Sequence, residues 1–186
     1  MKNPYIFGYL PFVTIVLFSL TFGVYTVGIS LDLFKEIGLY GGMREFLTDT
    51  QLRIFLLVVY ALLFFMVFSA LKLIGETIHD TAMLLFSKDV EGKSYSEAKG
   101  GNVIFVLGAL ATAGGIHSIK LMGLFFLVTV FIYFIYVIYK LSKFMTLLST
   151  IGLIIFEIIM WGGFISLIVY ILLKLYNGVL ASLPFG

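Results

Sequence analysis

From Asn3 to Leu31 the chain carries no charged residue, and only Asp32 interrupts the apolar stretch before Lys35. No other feature restricts the fold as much. A bilayer core about 30 Å thick is crossed by roughly 20 apolar residues of helix, each rising about 1.5 Å. Further runs of the same kind follow at 54–71, closed by Arg53 and Lys72, and at 100–119, between Lys99 and Lys120. Two more occupy 121–139, ended by Lys140, and 147–173, interrupted only by Glu157 and ended by Lys174. The expectation is an all-α polytopic integral membrane protein. It is a five-helix transmembrane bundle with spans at about 8–31, 54–71, 100–119, 121–139 and 147–173, one domain over residues 1–186.

Composition excludes the alternatives. The chain is 61% hydrophobic and 12% charged, where a soluble domain carries about 25% charged residues. Intrinsic disorder, a disulfide scaffold and a nucleic-acid module do not fit, and a net charge of +2 is too small to attract nucleic acid. The absence of Cys removes disulfides, thiolate metal sites and thiol catalysis. The first apolar run is too long for the h-region of a signal peptide and lacks an A-x-A-like site, so it reads as a retained span. The lipid bilayer is the one partner the composition demands.

The third run, GNVIFVLGALATAGGIHSIK, is rich in Gly and Ala and is separated from the fourth only by Lys120. Gly108 with Thr112, and Ala109 with Ala113, have small-xxx-small spacing, which lets helix backbones approach closely in lipid. That suits a central helix surrounded by protein. A re-entrant segment is the alternative. With five crossings, Lys2, Lys72, Lys88, Lys93, Lys99, Lys140 and Lys143 share the N-terminal side, and Lys35, Arg44, Arg53, Lys120 and Lys174 the other. This bias predicts a cytosolic N-terminus in a bacterial cytoplasmic membrane. A third segment that fails to cross would bring the C-terminus to the same side.

Between the first two spans, Leu31, Phe34, Ile37 and Leu39 alternate with Asp32, Lys35 and Glu36. That pattern predicts a short interfacial helix broken at Gly41–Gly42. After the second span the helix continues as an amphipathic cytosolic segment, 72–86. Lys72, Glu76, His79, Asp80 and Met83 lie on one face, and Leu71, Ile74, Ile78, Ala82 and Leu85 on another. A polar loop, 87–99, follows, in which Ser94 and Glu97 have capping-box spacing.

Few residues are candidates for chemistry. Glu157 is the one acid well inside a span, where an ionised group needs a partner, a proton or water. It is read either as a protonatable site in an ion or proton path, or as a buried acid that bonds to a neighbouring helix or snorkels to the headgroups. Trp161, four residues on, is a candidate donor to it. His117, near the end of the third span, is the second intramembrane candidate; a lone His there is more commonly interfacial. Glu76, His79 and Asp80 form a cytosolic polar cluster. Its E-x-x-H spacing occurs in di-iron bundles, but those need two such helices and further carboxylates, so no metal or cofactor is assigned. Tyr133, Tyr136 and Tyr139 with Lys140 and Lys143 read as an interfacial anchor. Gly162, Gly163 and Ser166 form a close-packing face on the fifth span. No H-E-x-x-H, G-x-S-x-G or P-loop motif occurs, so no catalytic residue is assigned.

Three stretches carry a resemblance: GYLP at 8–11, FSKDVEG at 86–92 and KLYNGVLASLP at 174–184. With the order of the spans they resemble the YufK-like family of small bacterial membrane proteins over essentially the whole chain. The resemblance implies a bacterial membrane protein and transfers no functional residue. Taken with the close-packing faces, it leaves a non-enzymatic accessory or interaction component as the leading expectation, in a homo-oligomer or with a larger membrane-protein partner. A small oligomeric ion, proton or solute conduit using Glu157 is the alternative.

Overall fold

The computed structural model describes residues 8–88 and 98–182, with side chains through 178. The expected Ser94–Glu97 cap lies outside the described residues. Helix α1 spans Leu10–Glu36, α2 Leu39–Phe46, α3 Asp49–Phe86, α4 Asn102–Gly114, α5 Ile119–Leu141 and α6 Leu147–Ser182. A single 3-10 turn, Lys99–Gly101, precedes α4. The described residues are all helical apart from short connections.

Four of these helices, α1, α3, α5 and α6, are long and apolar enough to cross a membrane. The third expected span is realised as α4, of only 13 residues, about 20 Å at the usual rise. It is therefore short of a full hydrocarbon core. Its shelter comes from protein: α4 packs against both α1 and α5. Gly108, Ala109 and Thr112 are its buried residues, the small side chains that the spacing singled out, while Ala113 is exposed.

The first two long helices run antiparallel. Leu31 and Leu52 share one apolar cluster, Ser30 and Tyr60 hydroxyls meet at 2.7 Å, and a Cβ on Gly23 would lie 3.2 Å from the Ala61 backbone. Further along, Phe18 and Phe22 each stack with Phe68, and Phe126 of α5 joins the same group of rings. Edge-to-face and tilted ring pairs of this kind add to area burial. The α4–α5 pair is a hairpin: Gly101 meets Tyr133 and Tyr136, Gly108 meets Thr129, and Gly115 meets Phe125 and Leu121.

Two local expectations are corrected. The connector does break, but at Gly38 rather than at Gly41–Gly42. Gly38 has φ 75°, in the left-handed region that favours glycine, and its N–H donates to the Lys35 carbonyl to close α1. Gly41 and Gly42 lie inside α2, which Tyr40 and Met43 hold against the Val27–Leu31–Leu52–Leu56 cluster. The second correction concerns α3, which is continuous through Lys72 as expected but starts earlier than the charge-free run. Thr48 and Gln51 form a reciprocal capping box ahead of Arg53, which satisfies two of the free N–H groups of the first turn.

Candidate functional site

The second half of α3 outlasts its partner α1 and receives α6 instead. The pairing is antiparallel, built on glycines that let large rings approach. Gly75 lies under Trp161, where a Cβ would be 3.2 Å from Cζ2, and Gly152 lies against Phe86, where one would be 2.6 Å from Cε1. Around this junction Ala82, Val137, Leu141 and Leu153 form a buried cluster, with Phe86, Tyr133 and Phe156 packed on it. The end of α5 thus closes the junction from a third side.

Inside it, His79 Nδ1 lies 2.7 Å from Glu157 Oε1. The Glu157 side chain is 7% exposed and that of His79 21%. A buried carboxylate is costly unless paired and hydrogen-bonded, and the imidazole supplies that partner. The register also sets the depth of the site. His79 follows the charge-free run of α3 by two helical turns, so Glu157 sits beside the amphipathic extension of α3 and not beside the 54–71 run.

The other candidates separate. Glu76 pairs with Lys72 at 2.5 Å on the exposed side of α3, and Asp80 is exposed. Glu76, His79 and Asp80 therefore do not converge. Among the described residues no group of three His, Asp or Glu side chains could hold a metal ion. His117 is exposed in the turn joining α4 to α5, the full length of α5 away from the junction at Val137 and Leu141. The structure does not bring it together with Glu157. Trp161 packs its ring on Gly75 and Phe164. The face expected to be polar is also redrawn: His79 turns toward α6 beside buried Ile78 and Ala82, while Leu84 and Leu85 are exposed.

Sequence reasoning missed Gly75 and Gly152. A signal for them existed, since Gly75 lies four residues before His79 and Gly152 five before Glu157. It also missed the corner at the opposite end of the bundle. There Tyr40 donates its hydroxyl proton to Asp49, whose other oxygen accepts from Arg53 Nε at 2.9 Å. These hydrogen bonds, Tyr40's first and then Arg53's, hold the Asp49 carboxyl below the ordinary carboxylate value, and Asp49 in turn raises the Arg53 guanidinium. Lys35 and Arg44 lie over the Tyr40 ring at 5.7 and 5.9 Å.

One expected packing face is open. Gly162 and Gly163 have nothing within 4 Å of a Cβ position, and every residue from Ile165 to Gly178, Ser166 included, is exposed. After Trp161, α6 leaves the bundle.

Long apolar helices, aromatic packing between them and a buried His–Glu junction define a helical membrane protein. The sequence comparisons give the same class. A family of unknown function (DUF5366) matches residues 27–184, and the chain belongs to that family. It is also 34% identical, over 184 residues covering 99% of this chain and 100% of the relative, to a protein of Bacillus subtilis (strain 168) named "Uncharacterized membrane protein YufK". No solved structure matches the chain. The resemblance carried by the three short motifs is thus a whole-chain relationship.

Proposed function

We propose that this protein is a non-enzymatic component of the bacterial cytoplasmic membrane that acts by lateral association of α6 with another membrane helix, in a homo-oligomer or a larger membrane complex. The observation that supports this is the uncovered stretch of α6. It is exposed on all sides from Ile165 to Leu173 and apolar there apart from Ser166 and the Tyr170 hydroxyl, and it opens with the small residues Gly162 and Gly163. Helices in lipid associate through small residues and close packing, because lipid itself satisfies apolar surface. The first half of α6 is already fixed on α3, so the second half is presented in one orientation.

In the same reading the chain crosses five times, with its N-terminus and the 72–86 segment in the cytosol. The α4–α5 hairpin makes the number of crossings odd. Its helices pack antiparallel through a four-residue turn, Gly115 to Ser118, so they cross together or turn back together. In either case the C-terminus lies opposite the N-terminus. Lys140 and Lys143, lying over the Tyr136 and Tyr139 rings, support a cytosolic face at the end of α5.

Native mass spectrometry from several mild detergents tests the proposal. It predicts a stoichiometric assembly, of this chain alone or with one membrane partner. A monomer under all conditions would contradict it. The conduit reading is weaker, because Glu157 and His117 are separated by the length of α5.

A further inference from the structure

Among the described residues, α6 is seated on α3 mainly by apolar and glycine-to-ring contacts, with one charged exception. Trp161 covers Gly75, Phe86 covers Gly152, and Leu153 joins Ala82 in the buried cluster. The exception is the 2.7 Å hydrogen bond between His79 and Glu157. We propose that His79 and Glu157 form a proton-binding site, and that its occupancy sets whether α6 stays seated on α3. The inference concerns how α6 is held and does not depend on whether α6 has a partner.

The physical argument follows the proton. While Glu157 is ionised, the imidazole Nδ1–H donates to it in a charge-assisted bond, with the ring either neutral or cationic. Where two groups lie this close, each proton taken up belongs to the pair and not to one residue. When the pair takes one proton beyond the His⁺–Glu⁻ state, Glu157 becomes neutral. The ion pair is lost, and a largely buried cation remains without a counter-charge. The apolar contacts then hold α6 alone, against that penalty.

The surroundings do not replace Glu157. On α3, Glu76 is engaged with Lys72 and both Glu76 and Asp80 are exposed. On α5, which packs against the junction through Val137 and Leu141, and in the turn after it, Lys140 and Lys143 lie over tyrosine rings. On α6 no other charge occurs before Lys174. Among the described residues, Glu157 is the carboxylate that answers His79.

The native chain has no Cys, so paired Cys labels report the α3–α6 distance cleanly. Leu84 and Leu148, 82% and 81% exposed, take spin labels at the adjacent ends of the two helices. Double electron–electron resonance on the full chain in nanodiscs would compare about pH 8 with about pH 4, a range that takes in the carboxylate proton as well as the imidazole one. The proposal predicts a narrow distance distribution at the higher pH and a longer or broader one, by several ångströms, at the lower. Glu157→Gln keeps an acceptor for the imidazole but removes its counter-charge, so the broadening should set in at higher pH, in the histidine range. His79→Asn keeps a donor near the Nδ1 position and removes the cation, so the low-pH broadening should be lost. An unchanged wild-type distribution, or low-pH broadening that persists in folded His79→Asn, would overturn the proposal.

Discussion

Gly108 of α4 lies directly against Thr129 of α5: a Cβ at position 108 would meet the Thr129 hydroxyl and methyl inside van der Waals contact, and would come within 2.7 Å of its Cβ. Thr129 is itself buried and donates its hydroxyl proton to the Phe125 carbonyl at 2.6 Å. The short helix α4 therefore owes its place to a missing side chain. Gly108→Ala should destabilise the fold by about 1–3 kcal/mol through overpacking. Gly123→Ala on α5 has nothing within 4 Å of its Cβ and should be neutral or slightly stabilising. Denaturant or thermal unfolding in detergent compares them; equal stabilities would refute the close contact.

The His79–Glu157 junction makes a second prediction. Glu157→Ala leaves a largely buried imidazole without its partner and should cost about 1–3 kcal/mol, while Glu157→Gln, which keeps an acceptor, should cost less. A double-mutant cycle with His79→Ala should show coupling of about 0.5–3 kcal/mol. Strict additivity of the two single changes would show that the residues do not interact.

At the other end of the bundle, the prediction concerns pH. Asp49 titrates below its ordinary value in the folded chain, mainly because of the Tyr40 hydroxyl. Its contribution to holding α2 against α3 is therefore fully present above the unfolded carboxylate value of about 3.9. It is lost as pH falls through the lower folded value. Tyr40→Phe should move the Asp49 titration upward, as followed by carboxyl-carbon NMR. An unmoved titration would mean that Arg53 alone sets it.

Much of this was legible in the sequence, for identifiable reasons. Charge-free runs of about 20 residues announce spans directly, and the small-residue spacing of Gly108 and Thr112 places the inner face of α4. The polar residues of the junction were individually conspicuous, Glu157 for lying in an apolar run and His79 for its polar cluster. Their meeting was not legible, because it depends on the register of two helices 78 residues apart. The Gly41–Gly42 break failed for another reason. A glycine pair weakens a helix without ending it, whereas Gly38 accepts the left-handed conformation that a helix terminus uses. The open face at Gly162, Gly163 and Ser166 was read as packed because spacing shows what could pack and not what is near.

The conduit alternative yields a functional prediction. With Glu157 engaged by His79 and remote from His117, liposomes carrying the protein should show no proton or alkali-cation flux above empty vesicles. Flux in the wild type that disappears in folded Glu157→Gln would replace the association account with transport.

The central claim is that the free half of α6 is a contact surface, and Ser166→Cys tests it most directly. In a chain without native Cys, this near-isosteric change places one thiol on the open face. In native membranes the account predicts that oxidation or a thiol cross-linker joins position 166 to one protein, a second copy or a single partner, in stoichiometric yield. The exposed control Leu124→Cys on α5 should not react in this way. If position 166 gives no protein adduct, or no more than position 124, α6 faces lipid alone and the account is wrong.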